Sequence, residues 1–77
     1  MLVTVRLYGN LRKHLPPGQE RIELELTAGA TVHHVLEAVG IDRGEVGLVT
    51  VGDRVVSEDL ELWPGAAVDI FAIIGGG

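Results

Sequence analysis

The sequence predicts an α+β domain of two layers, in which one helix covers one face of a small β-sheet. Apolar residues alternate with polar ones near both ends of the chain and again after its middle, which is typical of strands with one buried side. One intervening stretch has a helical period instead. The chain has 77 residues, of which 47% are hydrophobic, so it forms one domain with enough apolar side chains for a core. The predicted element order is β-β-α-β-β-β.

The first two strands precede the helix. Residues 2–8 alternate, with Val3, Val5 and Leu7 on one face, and residues 21–26 alternate in the same way. A short helical turn is expected at residues 11–15, because Pro16-Pro17-Gly18 ends it. The two strands are therefore expected to be antiparallel neighbours joined by a longish connection.

The helix is the clearest element of the sequence. Thr31 is a suitable N-cap residue, and Gly40 stands where a left-handed residue ends many helices. Ile41 is expected to pack back against the helix end. The spacing i, i+3, i+4, i+7 gives one apolar stripe. That stripe consists of Val32, Val35, Leu36 and Val39.

Three strands are predicted after the helix. Residues 48–51 and 55–56 flank a turn at Gly52-Asp53-Arg54, and residues 57–59 can begin a helical turn. Trp63-Pro64-Gly65-Ala66 has the residues of a type II turn. The last strand, residues 67–73, is apolar on both faces, so we expect it to be central and parallel to the first strand. Phe71 and Ile73 should then lie on the face opposite the helix.

Composition excludes several classes of function. The net charge of −5 gives no long-range attraction for nucleic acid or anionic lipid. The absence of Cys removes thiolate nucleophiles, disulfides and cysteine metal sites. No stretch approaches the ~20 apolar residues of a membrane span, and no signal peptide is evident. Cytoplasm is therefore the expected compartment.

The polar side chains predict no metal site and no catalytic set. His33 and His34 are adjacent on the helix, so their side chains diverge and are expected to face solvent. His14 has no evident partner. The carboxylates have the pattern of solvated strand, turn and cap positions rather than of a calcium loop. These carboxylates are Glu23, Glu25, Asp53, Glu58 and Asp59. We therefore expect the chain not to be an enzyme on its own.

The chain closes on Ile74-Gly75-Gly76-Gly77, which divides it into a domain, 1–74, and a flexible tail, 75–77. Glycine packs nothing and loses much backbone entropy on folding, so a frayed end is one interpretation. The glycines follow an apolar strand without a polar linker, which favours a second interpretation. An extended thread without side chains could enter a channel too narrow for ordinary residues, and its reactive group is the α-carboxylate of Gly77.

Three stretches carry a family resemblance: residues 3–9 (VTVRLYG), 29–32 (GATV) and 73–77 (IIGGG). With them, the chain resembles from end to end the small subunit of molybdopterin synthase and the thiamin sulfur carrier. These are ubiquitin-like β-grasp proteins, so the resemblance implies a mixed sheet of about four to five strands on one main helix. The long link before Arg21 is more like the molybdopterin subunit, whereas the Ile-Gly-Gly-Gly ending is more like the thiamin carriers. Trp63-Pro64-Gly65-Ala66 and Gly52-Asp53 depart from the turns usual in both.

The resemblance also implies a function. A ubiquitin-activating-type adenylating enzyme would use ATP to adenylate the Gly77 carboxylate, which would then become a thiocarboxylate. A sulfur-acceptor enzyme, either the molybdopterin synthase large subunit or thiazole synthase, would receive the sulfur. The chain itself lacks a phosphate-binding loop and binds no cofactor, so it is expected to be the substrate and carrier. Gly75 and Gly76 would thread the partner's channel.

A docking patch for the partner is expected beside the tail, at Phe71, Ile73 and Ile74. The alternative is that Phe71 and Ile73 fill a minor core or a contact between copies. Two other functions also stay open beside the sulfur carrier, for which the molybdopterin type is favoured over the thiamin type. One is a ubiquitin-like modifier joined to lysines through Gly77, and the other is a non-covalent subunit whose glycines are inert.

Overall fold

The computed structural model describes residues 1–74, so the predicted tail, 75–77, lies outside the described residues. The strands and helix follow in the predicted order, and two short 3₁₀ helices, Gly9–His14 and Arg43–Glu45, lie between them. The elements are β1 (Leu2–Leu7), β2 (Arg21–Glu25), α1 (Val32–Val39), β3 (Val46–Val51), β4 (Arg54–Val56) and β5 (Ala67–Ala72).

The five strands form one mixed sheet in the order β2-β1-β5-β3-β4. β1 and β5 are parallel, with Val5 opposite Val68, and the other neighbours are antiparallel. The predicted parallel pair at the centre of the sheet is therefore confirmed. The first and last strands of the chain each have a neighbour on both sides, which satisfies their backbone groups.

The core lies between the sheet and α1. Val5, Val35, Val68 and Ile70 are fully buried, and the inward positions of β1, β3 and β5 alternate with exposed or half-buried residues. The predicted helix stripe faces this core, with Val39 packed at its margin. Leu11 of the first 3₁₀ helix and Leu62 close the sides of the core. The two-layer prediction is confirmed, and it has the mixed-sheet topology of a ubiquitin-like β-grasp fold.

The ends of α1 are held as the sequence predicts. Thr31 is extended and forms a capping box in which its backbone N–H donates to Nδ1 of His34 at 2.8 Å. The first helical amides are also satisfied from outside, since Val32 N–H donates to the carbonyl of Leu60 at 3.1 Å. At the other end Gly40 has a φ of 88°, and its N–H bonds back to the last turn.

The predicted turns after the helix differ in how closely the structure follows them. The type II turn is confirmed, since Ala66 N–H donates to the Trp63 carbonyl at 3.0 Å and Gly65 has a φ of 83°. Residues 57–59, expected to begin a helical turn, form a single hydrogen-bonded turn instead.

Among residues 1–74, no helix is both long and apolar enough to cross a membrane. The cytoplasmic location stays a prediction.

Truncating Leu36 tests the packing of α1 on the sheet. Leu36 is 4% exposed, so Leu36→Ala should lower the free energy of unfolding by ~2–5 kcal/mol through lost burial and the cavity left behind. Leu2→Ala is the matched control, since Leu2 is 48% exposed and its truncation should cost about 1 kcal/mol or less. Denaturant melts of both variants measure the difference. A loss below ~1 kcal/mol for Leu36→Ala would mean that the helix buries another face.

Candidate functional site

Phe71 lies on the sheet face opposite α1, as the alternation predicts. It is half-buried because its ring stacks on Tyr8, with ring centroids 4.5 Å apart and planes at 12°. Tyr8 in turn donates from its hydroxyl to Oδ1 of Asp69 at 3.3 Å. This offset stack fixes an aromatic surface on the central strands of the open face.

Beside that stack the open face carries an apolar depression, here called the outer groove. Val55 at its rim is 72% exposed and Ile74 is 95% exposed, both large values for aliphatic side chains. The lining is almost entirely apolar, and an exposed surface of this kind usually marks an interaction site. The outer groove is lined by Gly47, Leu48, Thr50, Val55, Phe71, Ala72 and Ile74.

Ile73 faces a second depression on the other side of the departing chain. That depression is lined by Tyr8, Gly9 and Asn10 together with Phe71, Ala72 and both isoleucines. The structure thus brings the three predicted docking residues, Phe71, Ile73 and Ile74, together around the end of β5. Gly75, Gly76 and Gly77 lie outside the described residues.

The end of β5 is held by its neighbours. After Ala72 the N–H of Ile73 donates to the carbonyl of Glu45 at 3.0 Å, which extends the pairing with β3 by one bond. The pairing between β3 and β5 has a bulge here, since Val46 opposes Ala72 whereas Leu48 opposes Phe71. This region, from Ala72 to Ile73 with its neighbours, is here called the exit.

Glu45 is the most heavily bonded side chain at the exit. Its carboxylate accepts from Nζ of Lys13 at 2.7 Å, from Nε2 of His14 at 3.0 Å and from the N–H of Asp42 at 3.2 Å. Hydrogen bonds from Lys13 and His14 lower the pKa of Glu45 to about 2. The expectation that His14 has no partner is therefore wrong. Its partner is 31 residues away in sequence and is brought close by the two 3₁₀ helices.

The other polar residues of the sequence analysis form surface contacts. Both helix histidines are exposed, as expected, and Nδ1 of His33 lies 3.1 Å from Oε1 of Glu58. Glu58 also pairs with Arg43, whose hydrogen bond lowers the pKa of that carboxyl. Within the described part of the chain, no group of three or more potential ligands could hold a metal ion.

Sequence reasoning missed Glu45 and Gly47. Glu45 is the last residue of the segment Asp42-Arg43-Gly44-Glu45. A glutamate three residues after an aspartate is a capping-box signal, and it could have located the second 3₁₀ helix. Its ion pairs depend on tertiary contacts and have no local signal. The isolated Gly47 at the start of a strand is a signal for a bulge or for close backbone approach.

The fold and the exposed exit together define a class of protein. A small β-grasp domain whose central strand β5 leads to an apolar face belongs with the ubiquitin-like proteins, whose small-subunit members are carriers rather than catalysts. More specifically, residues 1–74 match the family model described as Mut7-C ubiquitin, and the chain belongs to that family. No match was found among curated protein sequences.

Solved structures agree with the ubiquitin-like fold. A putative molybdopterin converting factor, subunit 1, from Pyrococcus furiosus has a TM-score of 0.76 and 26% identity, covering 95% of this chain and 98% of that one. The HVO 2177 protein of Haloferax volcanii has a TM-score of 0.79 and 26% identity over 100% of this chain and 87% of that one. SAMP1 of Haloferax volcanii has a TM-score of 0.77 at 16% identity, with both chains fully covered. The resemblance to the molybdopterin small subunit is confirmed.

The lowered pKa of Glu45 predicts a pH-dependent contribution to stability. With a folded pKa of about 2 against an ordinary value of 4.5, the folded state binds fewer protons than the unfolded state. The contribution is therefore complete above about pH 4.5 and is lost as the pH falls towards about 2. Glu45→Gln should melt at a lower temperature than wild type near neutral pH, and the gap should close over that acidic interval.

Glu23→Gln is the control for this experiment. It removes an exposed carboxylate that has no cationic partner within 4.0 Å among residues 1–74. Thermal melts of the three proteins across the pH range give the comparison. A gap between wild type and Glu45→Gln that is constant with pH, or equal to that of Glu23→Gln, would contradict the role of the ion pairs.

Proposed function

We propose that the chain is a sulfur carrier for cofactor biosynthesis, of the molybdopterin type, that works through the carboxylate of Gly77. The observation that carries the proposal is the exit. The central strand ends beside an apolar groove at the exposed Ile73 and Ile74, and the sequence then continues as three glycines. The likeness to the Pyrococcus furiosus subunit, at 26% identity over nearly both whole chains, supports it.

The chemistry follows from the properties of a carboxylate, which resists nucleophiles because of its charge and resonance. A carboxylate oxygen of Gly77 attacks the α-phosphorus of ATP on an adenylating partner, and pyrophosphate leaves. Hydrosulfide then attacks the carbonyl carbon of the acyl-adenylate and displaces AMP, which leaves a thiocarboxylate. With no Cys in the sequence, the chain cannot hold the sulfur as a side-chain thiol or persulfide.

The described residues would serve recognition in this scheme. The adenylating partner, of the ubiquitin-activating type, would dock on the outer groove at Phe71 and Ile74, with Ile73 contacting it across the exit. Gly75 and Gly76 would pass through its channel. A complex of subunits 1 and 2 of the molybdopterin-converting factor of Helicobacter pylori has a TM-score of 0.63 to this chain. At 16% identity that likeness supports a shared fold. The proposal takes a large subunit as the second partner, the sulfur acceptor.

Two alternatives lead to different products. A thiamin-type carrier would pass the same thiocarboxylate to thiazole synthase. A ubiquitin-like modifier would instead join Gly77 to lysines of target proteins, and one solved neighbour is named small archaeal modifier protein 1. At 14% identity that neighbour supports a shared fold, so the modifier function enters here as an outcome of the test.

Intact-mass spectrometry separates a thiocarboxylate carrier of either type from a modifier. The chain is purified from its own cells and is also incubated with the adenylating enzyme, ATP and sulfide. The carrier proposal expects the mass gain for one oxygen exchanged for sulfur, located on Gly77 by fragmentation. Isopeptide-linked adducts in place of that gain would show a modifier. An unchanged mass under both conditions, or a Gly77 that continues into further residues, would overturn the proposal.

Shortening the tail should separate function from stability. Deleting Gly76 and Gly77 should leave the melting temperature nearly unchanged, because ordering each glycine would cost ~1–2 kcal/mol and bury little apolar surface. The new carboxylate would stop roughly 7 Å short of the partner's reacting atoms. Because those atoms must approach to about 3–3.5 Å, ATP–pyrophosphate exchange should be lost.

Gly76→Val keeps the reach and tests the channel separately. Its side chain should clash with narrow walls, so exchange should fall strongly while binding to the partner falls little. Exchange at the wild-type rate by the two-residue deletion would refute the carrier function, and the glycines would then be a frayed end.

Replacing Phe71 tests the docking face. Phe71→Ala should weaken binding to the adenylating partner by ~2 kcal/mol or more, since aromatic anchors often dominate interface energy. The loss of folding stability should be smaller, because Phe71 lies outside the buried core. Trp63→Ala is the control, since Trp63 is also a half-exposed aromatic (48%) but precedes β5, at the other end of the sheet. Normal binding with a much lower melting temperature would make Phe71 a core residue.

A further inference from the structure

Gly47 lies against the backbone of the exit more closely than any side chain permits. A Cβ on Gly47 would stand 2.8 Å from the carbonyl oxygen of Ala72 and 3.2 Å from Cα of Ile73. Ordinary contacts begin near 3.4 Å, so β3 and β5 would have to separate by about 0.6 Å here to give one methyl group an ordinary contact. Both neighbours are backbone atoms, which cannot swing aside as the end of a side chain can.

Glycine is required at position 47 because there is no room for a side chain, and not because of the backbone conformation. Gly47 is not among the glycines with a positive φ, so alanine could adopt its backbone conformation. The close approach coincides with the bulge between Val46 and Leu48, which lets β3 stay paired with β5 as far as Ala72.

A hydrogen bond holds the same point of the chain, and a second close approach borders it. On one side the N–H of Ile73 is held by the carbonyl of Glu45, and the side chain of Glu45 is anchored by Lys13 and His14. On the other side a Cβ on Gly9 would lie 3.3 Å from Cβ of Ala72. The exit is thus enclosed by the first 3₁₀ helix and by the start of β3, which meet at the last paired residues of β5.

We infer that Gly47, with the carbonyl of Glu45, is a positioning element that sets where the tail leaves the domain relative to the docking face. This inference rests on the proposed function, in which a partner binds the outer groove and receives the tail in its own site. If the tail is held extended in the channel of the docked partner, a displacement of Ile73 and Ile74 would be passed on to Gly77. A misplacement of about 1 Å can lower a rate by about 100-fold.

The comparison of Gly47→Ala with Gly44→Ala tests the inference. Gly44 also lacks a positive φ, but a Cβ there would meet nothing within 4 Å, so the second variant controls for the change from glycine to alanine. Kinetics of ATP–pyrophosphate exchange are measured with the adenylating enzyme that is active on the wild-type chain. Gly47→Ala should lower kcat by roughly tenfold with KM nearly unchanged, because the docking face persists and the tail is misplaced. Gly44→Ala should match wild type.

The split between kcat and KM matters because Gly47 also lines the outer groove. A methyl group that merely disturbed docking would raise KM and leave kcat intact, and that result would overturn the inference. Equal kinetics for both alanine variants would overturn it as well. Inactivity of the wild-type chain itself would instead count against the proposed function.

Amide hydrogen exchange tests the structural part of the inference without any partner. In the wild-type protein the N–H of Ile73 should exchange at least roughly tenfold more slowly than that of Ile74, because it is bonded to Glu45. In Gly47→Ala the protection of Ile73 should fall, while amides in the middle of β5 keep theirs. If the Ile73 amide of the wild-type protein exchanges as fast as that of Ile74, the exit is not fixed. That result would overturn the inference independently of the proposed function.

Discussion

The parallel pairing of β1 with β5 is the contact on which the rest of the structure depends. It joins the first and last strands of the chain, with Thr4 opposite Ala67 and Leu7 opposite Ile70. Because both strands are interior, their inward valines and Ile70 are fully buried under α1. A shift of one residue in this register would turn each of these side chains to the other face of the sheet.

The same pairing places the end of β5 beside the apolar open face. β5 is held by β1 on one side and by β3 on the other, so the backbone is ordered by hydrogen bonds as far as Ile73. Glycines then follow in the sequence. In the proposed function, the partner would bind this ordered face while the glycines reach its reacting atoms. The aromatic stack of Tyr8 on Phe71 keeps part of that face fixed.

The surroundings of the exit combine residues that are distant in sequence. Lys13 and His14 come from the connection between β1 and β2, and Glu45 comes from the connection between α1 and β3. Their ion pairs are partly exposed, so each contributes little to stability by itself. Their effect is local: they hold the backbone of Glu45, whose carbonyl bonds the chain where β5 ends. Gly47 contributes to this arrangement by its small size, because it has no side chain to clash with the backbone of Ala72.

The sequence by itself determined the five strands and the main helix, their faces and their order. Alternation in residues 2–8 and 67–73, the helical stripe from Val32 and the turn at Trp63 each depend on neighbouring residues, so they can be recognised in one chain. Phe71 could be assigned to the open face for the same reason. The last strand's apolar character on both sides was enough to predict its central, parallel place.

Tertiary structure decided what meets at the exit. The partner of His14 and the contact of Gly47 with Ala72 arise from pairing across long sequence separations, and the bulge that sets their register spans a single residue. The alternation of apolar and polar residues is a property of one short segment. It is the same whichever strand that segment pairs with, so it cannot identify the neighbouring strand. The contacts at the exit depend instead on how β3 lies against β5, which is fixed when the whole sheet packs on α1.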